Sequence, residues 1–312
     1  MSLPPRKPTR PIRPRNRPAQ PAPETAEAGD GERIQKALAH AGFGSRREIE
    51  GRIREGKVFI NRRPAHLGDR YRKGDQVMLN GRLVNLEKRL EAATRVLLYH
   101  KPVGELVSRR DPEGRPVIFS QLPRLELGRW IAVGRLDVNT QGLILLTNNG
   151  ELAHRLMHPS REVEREYAVR ILGTVSEAVI ERLVNGVQLE DGPARFESVT
   201  EAGGEGANRW FHVVVREGRN RLVRRLWESQ NLVVSRLIRV RYGDVVLPPR
   251  LRAGASVELA GEALDDLLRS VGLPPVTPET PPKRRFGGEA RGLGKRAARP
   301  ANPAFWKETK PV

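Results

Sequence analysis

The 312 residues suffice for two domains with a substantial core, and 56 Lys and Arg against 37 Asp and Glu leave a formal net charge of +19. An excess of that size attracts polyanions, and no apolar run approaches the roughly 20 residues of a membrane-spanning helix, so nucleic acid is the expected partner and no membrane is. The absence of cysteine excludes disulfides, thiolate nucleophiles and thiolate metal sites, and no His-Glu-x-x-His or similar pair among the six histidines suggests a metal.

Residues 1–30 are rich in Pro and Arg, show no apolar signal segment and are expected to form a disordered basic arm on a cytoplasmic protein. From Glu32 the spacing of Ile34, Ala37, Leu38 and Ala41 predicts a helix stopped by Gly42. Ser45-Arg46-Arg47-Glu48 then has the form of a capping box opening a second short helix, with Ile49 and Ile53 on its apolar face. Arg46 and Arg47 fall in a first turn where the helix dipole prefers anions, so they make more sense as phosphate ligands than as helix stabilisers. Residues 58–61 and 74–79 read as strands of the same small unit. The segments 42–48 and 57–61 resemble the S4 RNA-binding domain. That likeness makes 31–80 an S4-like module and adds Arg33, Lys36 and Lys57 to the expected RNA contacts. A small domain with a solvated basic face is the plainer alternative.

Residues 81–95 are charged and read as one more strand and a linker, after which 96–99 begin a second domain, expected over 96–272, as a buried strand. Arg109 and Arg110 lie in a Pro- and Gly-punctuated loop able to guide RNA. Two apolar runs, 130–133 and 143–146, flank a polar turn with Gly134, Arg135, Asp137, Asn139, Thr140 and Gly142. An extended backbone there places Arg135 and Asp137 on one side and Leu136 on the other, the arginine keeping Asp137 ionised. A turn aspartate bridged to its neighbour fits the same residues.

Helical spacing over 151–157 is followed by an alternating strand, 165–170, which carries Tyr167, either a base-stacking aromatic or a tyrosine packed on a sheet. A helix over 176–184, a hairpin over 187–199 and a strand over 210–215 lead to a tight turn at 217–220. Arg219, Arg221, Arg224 and Arg225 then crowd the start of a helix, where a phosphate or a carboxylate is needed. A strand over 233–242 and an apolar segment at 264–268 close the domain, and 273–312 read as a disordered basic tail. Mixed in this order without regular alternation, the elements predict an α+β fold on a largely antiparallel mixed sheet.

An S4-like module joined to Gly-Arg-Leu-Asp-x-x-Thr-x-Gly-Leu, with further matching runs at 158–167, 188–193, 217–221 and 234–243, resembles the RsuA-like branch of the RNA pseudouridine synthases. The longest runs look like branch members that act on 23S rRNA near the peptidyl-transferase centre. The resemblance implies that Asp137 is the catalytic aspartate, that Tyr167 stacks on the target base and that Arg135 lies near the flipped nucleotide. A basic partner for Asp137 is expected from Arg224, with Arg221 second, and Arg219 is counted among the RNA contacts. Leu222 stands where relatives usually carry Gln or Glu. The implied partner is 23S rRNA or a large-subunit assembly intermediate, met by a monomer without a cofactor. Small-subunit rRNA, a non-catalytic S4-type assembly factor and hydrolysis of a nucleic-acid glycosidic bond are the rival readings.

Overall fold

In the computed structural model the S4-like stretch folds around one apolar cluster, with Ile34, Leu38, Ile49, Val58 and Val77 at its centre. Residues 31–205 and 208–276 are described; apart from 273–276, the two basic tails read as disordered fall outside them. The order is β1 (Glu32–Arg33), α1 (Ile34–His40), α2 (Arg46–Arg54), β2 (Val58–Ile60), β3 (Arg63–Pro64), β4 (Arg70–Tyr71), β5 (Val77–Leu79), β6 (Arg82–Val84) and α3 (Leu86–Leu90). Strands β3-β2-β5-β6 form a four-stranded antiparallel sheet. The capping box forms as expected: the Glu48 amide donates to Ser45 Oγ at 3.1 Å while the Glu48 carboxylate accepts from the Ser45 amide. Leu86 is buried in this core and Val84 and Leu90 pack on it, so the charged stretch after residue 80 supplies a strand and a short helix to it.

The second unit contains β7 (Val96–Lys101), β8 (Ile131–Ala132), β9 (Gln141–Thr147), α4 (Gly150–Met157), β10 (Arg165–Leu172), α5 (Glu177–Asn185), β11 (Val187–Leu189), β12 (Gly192–Ala194), β13 (Ser198–Glu205), β14 (Asn208–Val215), α6 (Leu222–Glu228), β15 (Val233–Tyr242), β16 (Val245–Val246), β17 (Ser256–Leu259) and α7 (Glu262–Ser270). Its main sheet runs β13-β14-β10-β15-β9-β7-β17, with β8 and β16 as short additions. The β9–β15 pair is parallel and the other described pairs are antiparallel, which is the largely antiparallel mixed sheet expected.

Strand β9 explains why this sheet holds together. Leu143 and Leu145 pack in one cluster with Leu152 and Leu156 of α4 and Leu264, Leu267 and Leu268 of α7. Ile144 and Leu146 alternate into another, with Tyr99, Trp130 and Leu136. Four large side chains without exposed surface at successive positions require cover on both faces. A third cluster forms where Trp227 of α6 packs on Phe196 and Phe211, ring centres 5.8 and 5.4 Å apart.

The two units touch closely. A Cβ at Gly42 would lie 2.7 Å from the Gly128 backbone, and Lys36 of α1 reaches Glu151 of α4 at 3.6 Å.

Candidate active site

The loop 133–140 links β8 to β9, which pair antiparallel through Ile131–Thr147 and Ala132–Leu146. Leu136 turns into the core, leaving Arg135 exposed and Asp137 half-buried. The Thr140 amide donates to the Asp137 carbonyl at 3.0 Å and so closes the turn behind the carboxylate. Sequence periodicity made Arg135 the ionic neighbour of Asp137, yet among the described residues no ion pair joins them. The turn ends the extended backbone on which that pairing depended.

Two buried cations hold the loop by its carbonyls instead. Arg224, on α6, donates from Nη2 to the Asn139 carbonyl at 2.9 Å and from Nη1 to Val234 at 2.9 Å. Lys101, at the end of β7, donates from Nζ to the carbonyls of Thr140 at 2.9 Å and Pro102 at 2.8 Å, with Val138 at 3.4 Å. Burial lowers the pKa of Arg224, nearby Arg221 adds to the effect, and Asp137 opposes it. Burial takes Lys101 down to about 8 against the attraction of Glu105 and Asp137. The field of both cations therefore reaches Asp137 without a direct bridge to its carboxylate.

Sequence reasoning named Arg224 and missed Lys101. A lysine closing strand 96–101 after the run Val-Leu-Leu-Tyr was the available signal, because an amine buried there must find acceptors such as carbonyls.

Asp137 and Tyr167 line one cleft of about 910 Å³. Tyr167 comes from β10, half-buried and packed on the clusters of Leu136 and Trp227. Arg135, Arg165, Arg219, Arg221 and Arg239 also line the cleft, and its other carboxylate, Glu217, is paired with Arg219 at 2.7 Å. A cleft this size admits a nucleotide, and its charge suits a phosphodiester. Nothing among the described residues groups into a metal-binding cluster.

Comparison with known proteins shows the family. A family model described as RNA pseudouridylate synthase matches residues 95–229, and an S4 domain model matches 32–77. The chain is 53% identical over 276 residues to the ribosomal large subunit pseudouridine synthase B of Pasteurella multocida, covering 86% of this chain and 80% of that one. It belongs to the RNA pseudouridylate synthase family. The same-named protein of Pseudomonas aeruginosa is 56% identical over 81% of this chain, which spans 66% of that relative, just under two thirds. The Escherichia coli K12 protein is 55% identical over 79% of this chain and 85% of its own. A crystal structure of a pseudouridylate synthase superposes with a TM-score of 0.51 at 25% identity, over 73% of this chain and 96% of that one.

As a pseudouridylate synthase the chain uses its arginines in two ways. Arg33, Arg46, Arg47 and Arg110 are exposed and have no carboxylate partner among the described residues. Others expected to meet RNA are already engaged. Lys36 bridges Glu32 and Glu151, and Lys57 pairs with Glu55 at 2.6 Å. Arg109 donates to the Trp130 carbonyl and lies over the Phe119 ring. Arg219 and Arg225 both grip Asp191, at 3.1 and 2.8 Å, so a carboxylate supplies the anion that this cluster demanded. Arg221 pairs with Glu228 at 3.2 Å. Leu222 is buried in the Trp227 cluster, so apolar packing occupies the place where a polar residue was expected.

Proposed function

We propose that this pseudouridine synthase isomerises a uridine of the large-subunit 23S rRNA. The observation that carries the reading is the single cleft holding Asp137 and Tyr167, in a chain more than half identical to relatives named for the large subunit. In this reading the target uridine leaves its stack and enters the cleft, a cost of a few kcal/mol offset by phosphate contacts and by stacking on Tyr167. Ionised Asp137 acts at the ribose, either by attack on C1′ or by removal of a ribose proton, while Arg224 and Lys101 hold its loop in place. The N1–C1′ bond breaks, the ring turns, C5 bonds to C1′ as the Asp137 carboxylate is released or the ribose proton is returned, and the C5 proton departs while N1 takes up one from solvent. Arg135 meets a phosphate at the rim, and Arg33, Arg46, Arg47 and Arg110 extend the contact to flanking RNA. The partner is 23S rRNA or a large-subunit assembly intermediate, and the protein works as a cytoplasmic monomer without a cofactor.

The test is a 23S transcript made with uridine tritiated at C5 and incubated with the purified chain. Tritium release with the strand intact supports the proposal. An abasic site makes the protein a glycosylase, and binding without release makes it an assembly factor. Mapping pseudouridine in rRNA from cells lacking the chain tests the target: a position lost from the small subunit instead overturns the large-subunit assignment.

A further inference from the structure

Behind Tyr167 the cleft wall contains two arginines to which the proposed reaction gives no task. In the register of β10 and β15, Arg165 lies opposite Tyr242 and Tyr167 opposite Arg239. The guanidinium carbons of Arg165 and Arg239 each lie 5.1 Å from the centre of the Tyr242 ring. Tyr242 is fixed in turn, its hydroxyl donating to the Leu156 carbonyl at 2.8 Å. Arg165 also spends its Nη1 on the Arg216 carbonyl at 2.7 Å.

Arg239 is less satisfied. It is 2% exposed, its Nε donates to the Leu143 carbonyl at 2.8 Å, and its Nη2 is enclosed without an acceptor. No carboxylate pairs with it among the described residues. Thr140 lines the same cleft with a buried, unpartnered hydroxyl. Enclosed donors of this kind are rare and costly in a folded protein, and a buried guanidinium without an anion is costlier still. Two buried residues lining one cleft, each with an unmet polar atom, indicate a polar ligand that completes them.

We infer that Arg239, with the Thr140 hydroxyl lining the same cleft, is its uracil-reading edge: its guanidinium donates to a carbonyl oxygen of the flipped base. This deepens the proposed function and rests on it. Position selects the base over its phosphate, because Arg239 neighbours Tyr167, the stacking residue, whereas Arg135 and Arg221 are exposed. The contact also has chemical consequence. When N1–C1′ breaks, the electron pair stays on the ring and its charge spreads to O2 and O4, so a fixed cation at one carbonyl is worth more after bond breaking than before. The ring charge is discharged as C5 bonds to C1′, after which the C5 proton leaves to solvent and N1 takes up a proton in its place, so the product is neutral and isomeric with the substrate.

The experiment uses the full chain with 23S transcripts in which uridine is replaced by 2-thiouridine or 4-thiouridine, since sulfur accepts hydrogen bonds poorly. Single-turnover rates at saturating enzyme are compared with binding. The wild type is expected to lose about tenfold to a hundredfold on one thio-transcript, with binding little changed. Arg239→Lys should lose a similar factor on the ordinary transcript and nothing further on the thio-transcript. Equal rates for the wild type on all three transcripts overturn the proposal even if the variant fails to fold. So does a variant that keeps the wild-type rate, or one that loses the full thio factor again. A wild type inactive on the ordinary transcript instead sinks the 23S assignment, which separates the two failures.

Discussion

Arg224 holds the loop of Asp137 through the carbonyl of Asn139, two residues beyond the carboxylate, at 2.9 Å. In the proposed reaction it is a positioning residue, fixing where Asp137 stands and leaving its oxygens free. Arg224→Gln should cost about 2 kcal/mol of stability by removing charge-assisted bonds to Asn139 and Val234. A shift of the loop by about an ångström is enough to lower the rate roughly a hundredfold. Rapid-quench kinetics should find the loss in kcat, with KM nearly unchanged. A loss confined to KM places Arg224 in RNA binding instead.

Asp137→Asn preserves the shape of the turn, because the backbone bond from Thr140 to residue 137 does not involve the side chain. The variant should fold, bind 23S rRNA with unchanged affinity and form no pseudouridine, since an amide neither attacks C1′ nor takes a proton. Electrophoretic binding and tritium release check this together. Turnover in a clean preparation of the variant removes Asp137 from the chemistry.

Much of this arrangement is legible in the chain itself, for local reasons. The strand at 165–170, the unbroken apolar run at 143–146 and the Ser45–Glu48 capping box are each written in residues a few positions apart, and each element forms as read, although burial along 165–170 does not alternate strictly. Distant pairings are not legible. Asp191 takes Arg219 and Arg225 from positions 28 and 34 residues away, so two arginines that look like phosphate ligands are spoken for. Lys101 in sequence resembles any cation at a strand end, and only the fold brings Val138 and Thr140 to it. The expected Arg135–Asp137 pair fails for the opposite reason: strand periodicity was carried into a segment where the backbone turns.

Lys101 makes stability depend on pH. Burial lowers its pKa in the folded protein to about 8, from an ordinary 10.5. Between those values the unfolded chain holds the proton and the folded one does not, so the folded state gains relative stability as pH rises through the window. Compared with Lys101→Met, the wild type should improve by up to about 3 kcal/mol between pH 7.5 and 10.5. Urea denaturation of both proteins across that range checks it; parallel curves mean that the Lys101 amine keeps its ordinary affinity for protons.

The parallel contact between β9 and β15 that sets Gly142 beside Arg239 gives the sharpest test of the site's frame. Gly142 has a φ of +114°, and an added Cβ would lie 2.3 Å from the Arg239 carbonyl oxygen and 2.5 Å from its amide nitrogen. Both are backbone atoms of a buried strand, so neither can yield as the tip of a side chain could. Gly134, in the loop before β9, offers a control: its φ is +76°, but nothing lies within 4 Å of the place an added Cβ would take. Gly134→Ala should cost only the left-handed backbone strain, about 1 kcal/mol. Gly142→Ala should cost more than about 3 kcal/mol and abolish activity, because separating the strands displaces both Thr140 and the wall behind Tyr167. Equal urea midpoints for the two variants contradict the close approach of β9 to β15 and with it the position assigned to Arg239.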